Sequence, residues 1–229
     1  MKFNSLRIVL PILAASAVVA LSTSCSSAAD ADLAPVPVKY PAPTLKGTPD
    51  DLPTGPTIEP MADKAPALPQ IPKNAGNVAL GKPVTSSEKP FSGALAQITD
   101  GLKEAMDDQA VEFKKGTQWI QVDLGAEHTI HAIALWHDHR YIQSFHDVIV
   151  QVSNDPEFKT GVTTVFNNDT DNSSGQGVGT AREYFEQQYG KVVAANGVKG
   201  RYVRSYTRGS NSSALNAWQE LEVYAVPVK

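Results

Sequence analysis

A single cysteine, Cys25, stands in the 229 residues, so no internal disulfide can staple the fold. Basic runs are missing too: 20 Lys and Arg face 24 Asp and Glu, with no cluster of cations. That balance argues against a nucleic-acid partner, whose phosphates demand a cationic surface, and against electrostatic docking on anionic lipid. Only one apolar run exceeds strand length, residues 8–21, and it is too short to span a bilayer comfortably. Catalytic signatures are lacking as well. No serine sits in a Gly-x-Ser-x-Gly turn, and the carboxylates scatter among loops without a visible pair. The chain reads as a binder and not an enzyme.

What is present begins with a leader. Lys2 and Arg7 precede the apolar run, which ends in LSTSC at Cys25. This resembles the lipobox of bacterial lipoproteins, with Ser22 where leucine is usual. The resemblance implies diacylation of the Cys25 thiol and an exported protein anchored to a bacterial membrane, the outer one if the cell has two. Acyl chains hold a protein at a lipid surface without a spanning helix. Loss of residues 1–25 removes Lys2 and Arg7 but no acid, taking the charge from −4 to −6.

Residues 26–75 carry eleven of the sixteen prolines, with no tryptophan or phenylalanine and no sustained apolar period. Proline removes backbone donors and favours extended geometry, so this stretch is expected to be a disordered tether. Its reach would lie between about 40 Å as a coil and about 150 Å fully extended.

From residue 76 onward the pattern changes. In GTQWIQVDLG, Ile120, Val122 and Leu124 alternate with Trp119, Gln121 and Asp123, the period of a half-buried strand. Near the end, Leu221 and Val223 alternate with Glu220, Glu222 and Tyr224. Further strands are predicted at 84–86, 130–136, 148–153, 163–166, 183–185 and 201–206, separated by Asn, Asp, Gly and Ser clusters. No helical period competes. The expectation is an all-β sandwich of about 150 residues, residues 76–229, closed by its last strand.

The ordered motifs GTQWIQVDLG, RYVRSY (201–206) and WQELEVYA (218–225) resemble the coagulation factor 5/8 type C, or discoidin-like, family, over residues 77–226. That family includes the family 32 carbohydrate-binding modules of bacteria. The resemblance implies a galactose-binding-like β-sandwich, or jelly roll, that binds a glycan or cell-surface polysaccharide through loops at one end. A non-sugar adhesion or scaffold module of the same fold remains the alternative.

All five histidines fall between His128 and His146. His137 and His139 share one face of a continuing strand, a spacing that would also allow a His-lined metal site with Asp138 or His146. In sugar-binding relatives, loop contacts come from a histidine, an arginine, an asparagine and an aromatic ring. By that resemblance His137, Asp138, His139, Arg140 and Tyr141 are candidate ligand contacts, joined by Arg208, Asn211 and Asn216 of the last long loop. Imidazole and guanidinium can hydrogen-bond sugar hydroxyls, and a flat ring can cover a pyranose face. The ALAQITDG segment (94–101) is similar to the family's calcium loop. It implies structural Ca2+ held by Asp100 and by Glu220 of the last strand.

Overall fold

The computed structural model describes Met1 and residues 32–44, 52–106 and 109–228. Cys25 and the rest of the leader lie outside the described residues. Ten strands follow one another: β1 (Leu33–Pro35), β2 (Gln70–Pro72), β3 (Gly76–Asn77), β4 (Val84–Ser86), β5 (Val111–Phe113), β6 (Gln118–His137), β7 (Ile149–Ser153), β8 (Thr163–Asn167), β9 (Lys191–Thr207) and β10 (Asn216–Pro227). A short 3-10 turn, Leu95–Thr99, is the only helical element among the described residues. The all-β sandwich expected from the sequence is what the chain forms.

Eight strands make one antiparallel sheet in the order β3-β10-β6-β9-β7-β8, with β4 added to β6 and β5 to β10. The sheet folds on itself because its long strands change partners midway. The first part of β6 pairs with β4 and with the end of β9. Past a register shift between Asp123 and His128, β6 pairs with β10 and with the start of β9. Gly125 sits in that break at φ 84°, a left-handed conformation that favours glycine.

Alternation then places the core. Ile120, Val122, Ile133, Leu221 and Val223 are 0% exposed and pack with Phe113, Trp218 and the valines of β7. Each such side chain gains roughly 1.5–3 kcal/mol on leaving water.

The opposite face of β6 and β10 departs from the half-buried expectation. Ala132, Ala134, Trp136 and Tyr224 form a second apolar cluster, and Val36, Ile71 and Ala75 of the proline-rich segment close it. β1 and β2 form an antiparallel ribbon, Ala34 opposite Ile71, and Val36 N donates to Pro69 O. Residues 32–44 and 52–75 are therefore not the disordered tether read from their proline content. The domain starts at Asp32 instead of residue 76. Short edge pairing tolerates proline, and the apolar residues between the prolines suffice to cover one sheet face.

A second correction concerns residues 183–185, expected as a strand. Glu183 makes only an isolated parallel bridge to Ile58, and the rest of that stretch is irregular. It nonetheless holds the segment before it in place, with Glu59 N donating to Glu183 O at 2.8 Å.

Candidate ligand-binding site

The loop expected to contact ligand is largely inside the molecule. β6 runs through His137, which keeps the inward parity of Ile133 and Leu135 and is 0% exposed. Its ring stacks on Phe145 at 4.5 Å, and its Nδ1–H donates to Glu186 at 2.6 Å. His139, also 0% exposed, donates through Nε2 to the Lys103 carbonyl at 2.8 Å. That leaves its Nδ1 to accept from the Thr44 hydroxyl at 3.3 Å. Neither imidazole can reach a ligand, and the two take different partners, which also removes the shared metal site.

Asp138 and Arg140 spend their charges on each other. Arg140 Nε and Nη2 reach Asp138 at 2.9 and 2.7 Å, and the backbone N of Arg140 adds a third bond. Tyr141 alone of the five stays open, 50% exposed.

The last loop divides similarly. Asn216 is fully buried and uses all of its amide. Its oxygen accepts from Thr207 and Gly209, and its nitrogen donates to the carbonyls of Lys114 and Gly116. It is a latch, not a ligand contact. Asn211 is exposed and pins the loop to Ser144 by two bonds. Arg208 is exposed, and its guanidinium makes no ion pair or hydrogen bond among the described residues.

Arg208 opens onto a polar cleft of about 220 Å³ that the sequence reading did not assemble. Two backbone bonds join the loops: Arg208 N donates to His146 O at 2.9 Å, and His146 N to Gly209 O at 2.8 Å. These set the arginine beside the imidazole of His146. Glu183 accepts from His146 Nδ1 at 2.8 Å, and this bond raises the histidine's pKa above its ordinary value. Burial and the Arg208 charge oppose that rise. Asn168 completes the wall. Its oxygen accepts from Val148 N at 2.6 Å, which fixes the amide orientation and leaves Nδ2 buried without a partner.

The acids Asp147, Asp169 and Asp171 bring their oxygens within 4.8 Å of one another at the same cleft. Their oxygens are engaged by Ser173 and Ser174, through backbone N–H groups and hydroxyls, as in a tight turn. These bonds shape residues 169–174 as a turn cluster. Asn168 was missed because it stands alone in sequence, and His146 was considered only as a metal ligand.

Around the expected calcium residues, Glu220 is 0% exposed, and both carboxylate oxygens meet only Gly101 N, at 3.2 Å. Burial, then the charges of Glu222 and Asp100, push its pKa up to about 9. Asp100 lies at the surface with Oδ1 accepting from Leu102 N. The Gln219 carbonyl oxygen is buried without a partner. One cation already serves this cluster: Lys103 Nζ sits 2.5 Å from Glu222, which also accepts from the Tyr224 hydroxyl. A buried, under-bonded carboxylate beside a surface aspartate and the side-chain oxygen of Gln219 is a donor set of the kind a hard cation takes. Asp100 and Glu220 are the side chains that would hold it.

A family model described as a NedA-like, galactose-binding domain of the F5/F8 type C group matches residues 97–205. The match covers 109 of the 229 residues and agrees with the family that the motifs resemble. Among solved structures it is similar to chitosan-binding module 1 of a chitosanase/glucanase from Paenibacillus sp. IK-5. That match has 21% identity over 66% of this chain and 99% of the other, with a TM-score of 0.47. A fucolectin from striped bass (Morone saxatilis) serum matches at 18% identity over 66% of this chain and 49% of the other, TM-score 0.46. A family 89 glycoside hydrolase from Clostridium perfringens matches at 14% identity and a TM-score of 0.50. There 66% of this chain covers 15% of the enzyme. The last of these is a likeness of fold. No curated protein matches the chain.

Proposed function

We propose that this protein is a non-catalytic glycan-binding module whose ligand enters the cleft between His146, Asn168 and Arg208. The observation that carries the reading is the pair of unspent donors there. Asn168 Nδ2 is buried without a partner, and the Arg208 guanidinium is unpaired beside it. A buried donor left unbonded costs free energy, so a ligand acceptor at that point is favoured. Asp171 and Glu183 add acceptors to the same wall. A surface that both donates and accepts suits hydroxyl groups, which do both. Among the described residues no Phe, Tyr or Trp lines this cleft, so recognition rests chiefly on hydrogen bonds. The description of the matching family model as galactose-binding supports the same class of ligand.

The test is calorimetric titration of the full chain with the glycan that scores first on an array. Arg208→Ala is expected to weaken binding about ten-fold or more, the loss of a charged hydrogen bond worth about 1.5–3 kcal/mol. Arg140→Ala, by contrast, should leave affinity unchanged. Equal affinity in wild type and Arg208→Ala would remove the cleft from consideration.

Two finer points belong to this reading. Structural Ca2+ would be held by Asp100 and Glu220 together with loop carbonyls. Export with acylation of Cys25 would anchor the module at a bacterial membrane, the outer one in a two-membrane cell. Labelled palmitate should enter the wild-type chain and not Cys25→Ala; equal labelling of both would refute the anchor.

A further inference from the structure

A second cavity, of about 240 Å³, opens where the proline-rich segment meets the start of β9. Half of its wall, including Tyr40, Glu59 and Leu68, comes from residues before 77, and the other half from Tyr184, Tyr189 and Lys191. The first half lies outside both the motifs of the family and the matched residues 97–205. The cavity is therefore particular to this chain's extra segment and separate from the loop cleft.

Its walls are fastened. The Gln187 side chain clasps Ala62, accepting from its N at 3.1 Å and donating to its O at 3.0 Å. Lys191 pairs with Glu59 at 2.8 Å, and its ammonium lies 4.7 Å from the Tyr184 ring centre. Gly190, at φ 58°, must be glycine, since a Cβ there would come within 2.6 Å of the Leu135 carbonyl and the Trp136 ring. That close approach seats Tyr189 against Tyr40, edge to face at 5.3 Å.

The chemistry of the lining selects a ligand class. Tyr40, Tyr184 and Tyr189 bring three rings, and the hydroxyls of Tyr40 and Tyr189 have no hydrogen-bond partner among the described residues. The Tyr184 hydroxyl turns away to the Glu186 carboxylate, and burial together with that neighbour raises its pKa. Lys191 and Glu59 are the only charged side chains among the described lining residues, and they pair with each other. Such a wall offers nothing to a phosphate or carboxylate, because a desolvated anion needs an unpaired cation. Ring faces and unspent phenols suit a molecule with apolar C–H faces and a rim of hydroxyls. The volume falls below the roughly 300–1,000 Å³ of sites for drug-sized ligands, which limits the occupant to one ring.

We propose that this cavity is a second ligand site, taking one neutral sugar residue. It does not depend on the loop cleft, and the test separates the two. Full-length Arg208→Ala protein, disabled at the cleft, is titrated with D-galactose, D-glucose and N-acetyl-D-glucosamine, with inorganic phosphate as the charged control. Saturation-transfer NMR reports binding, and tyrosine ring resonances report its place. At least one sugar should bind and shift the tyrosine rings. Tyr40→Phe and Tyr189→Phe, which keep the rings and the fold, should each weaken it about two- to ten-fold, the worth of one neutral hydrogen bond. The proposal is overturned if none of the three sugars binds, if both Phe variants bind as tightly as their parent, or if phosphate displaces the sugar. If only the cleft reading fails, Arg208→Ala leaves glycan affinity unchanged while the tyrosine variants still respond.

Discussion

On its inner face β10 buries Leu221 and Val223 against the valines of β7 and the large rings Phe113 and Trp218. On its outer face it buries Glu222 and Tyr224 beneath a loop lysine and a proline-rich segment. The inner layer is apolar, built from long strands, and needs no directional bonds. The outer layer mixes a small apolar patch with paired charges, and its cover is held by two three-residue strands. Burial fraction alone does not distinguish them; the material on the other side does. An apolar interior tolerates no unpaired charge, whereas a thin polar layer can hold one if a partner arrives.

The strongest way to test this contrast is to cut into each layer. Leu221→Ala should cost about 2–5 kcal/mol in denaturant melts, the usual range for a leucine excised from a packed core. Ile71→Ala, under the outer cover, should fall at or below the ~2 kcal/mol end of that range, because a short ribbon can collapse onto the gap. Equal losses would mean that the proline-rich cover is as integral as the sandwich core.

A smaller but more specific effect concerns Glu220. Its folded pKa of about 9 lies above the ordinary 4.5, so the folded state holds the proton longer than the unfolded one. Its contribution to stability is thus fully present below about 4.5 and is lost as pH rises through about 9. In chelator, the melting temperature of wild type should decline across that window, and Glu220→Gln should flatten the decline. Added calcium should raise the melting temperature of wild type at alkaline pH, with release of a proton, and leave Glu220→Gln unmoved. A calcium response that survives in Glu220→Gln would place the ion elsewhere.

The smallest effect belongs to the cleft. The His146–Glu183 pair has side chains 39% and 29% exposed, so it contributes little to folding. The pair supports the fold fully below pH 6.5, and that support fades as pH climbs through the raised pKa of His146. Glu183→Gln should move the His146 titration down toward its ordinary value in NMR, with almost no change in melting. An unmoved titration would show that the bond is not what raises it.

The inner core was legible in the sequence because its alternation is strict: Ile120, Val122, Leu124, Leu221 and Val223 all point inward as their parity requires. The outer layer left a signal too, though a quieter one. In IHAIALWH, residues 130–137, Ala132, Ala134 and Trp136 make the supposedly solvated face apolar, which demands a cover. Val36, Val38 and Tyr40 alternate between prolines and supply it. Composition outweighed that period in the reading of the segment as a tether. His137 shows the same lesson at the site, since the parity of Ile133 and Leu135 carries it into the core while its chemistry suggested a ligand. The cleft itself was not legible. Its walls come from residues 146, 168, 183 and 208, brought together by irregular loops that no periodicity describes.

The clasp of β1 onto β2 also shortens a leash. If Cys25 carries lipid, only six residues, 26–31, separate it from Asp32, where the packed domain begins. From Cys25 to Asp32 the chain can extend at most about 25 Å. The proline-rich stretch then works as wall and not as rope. A module so moored would sample glycans within about its own diameter of the lipid, those of its own cell envelope, instead of fishing for distant surfaces.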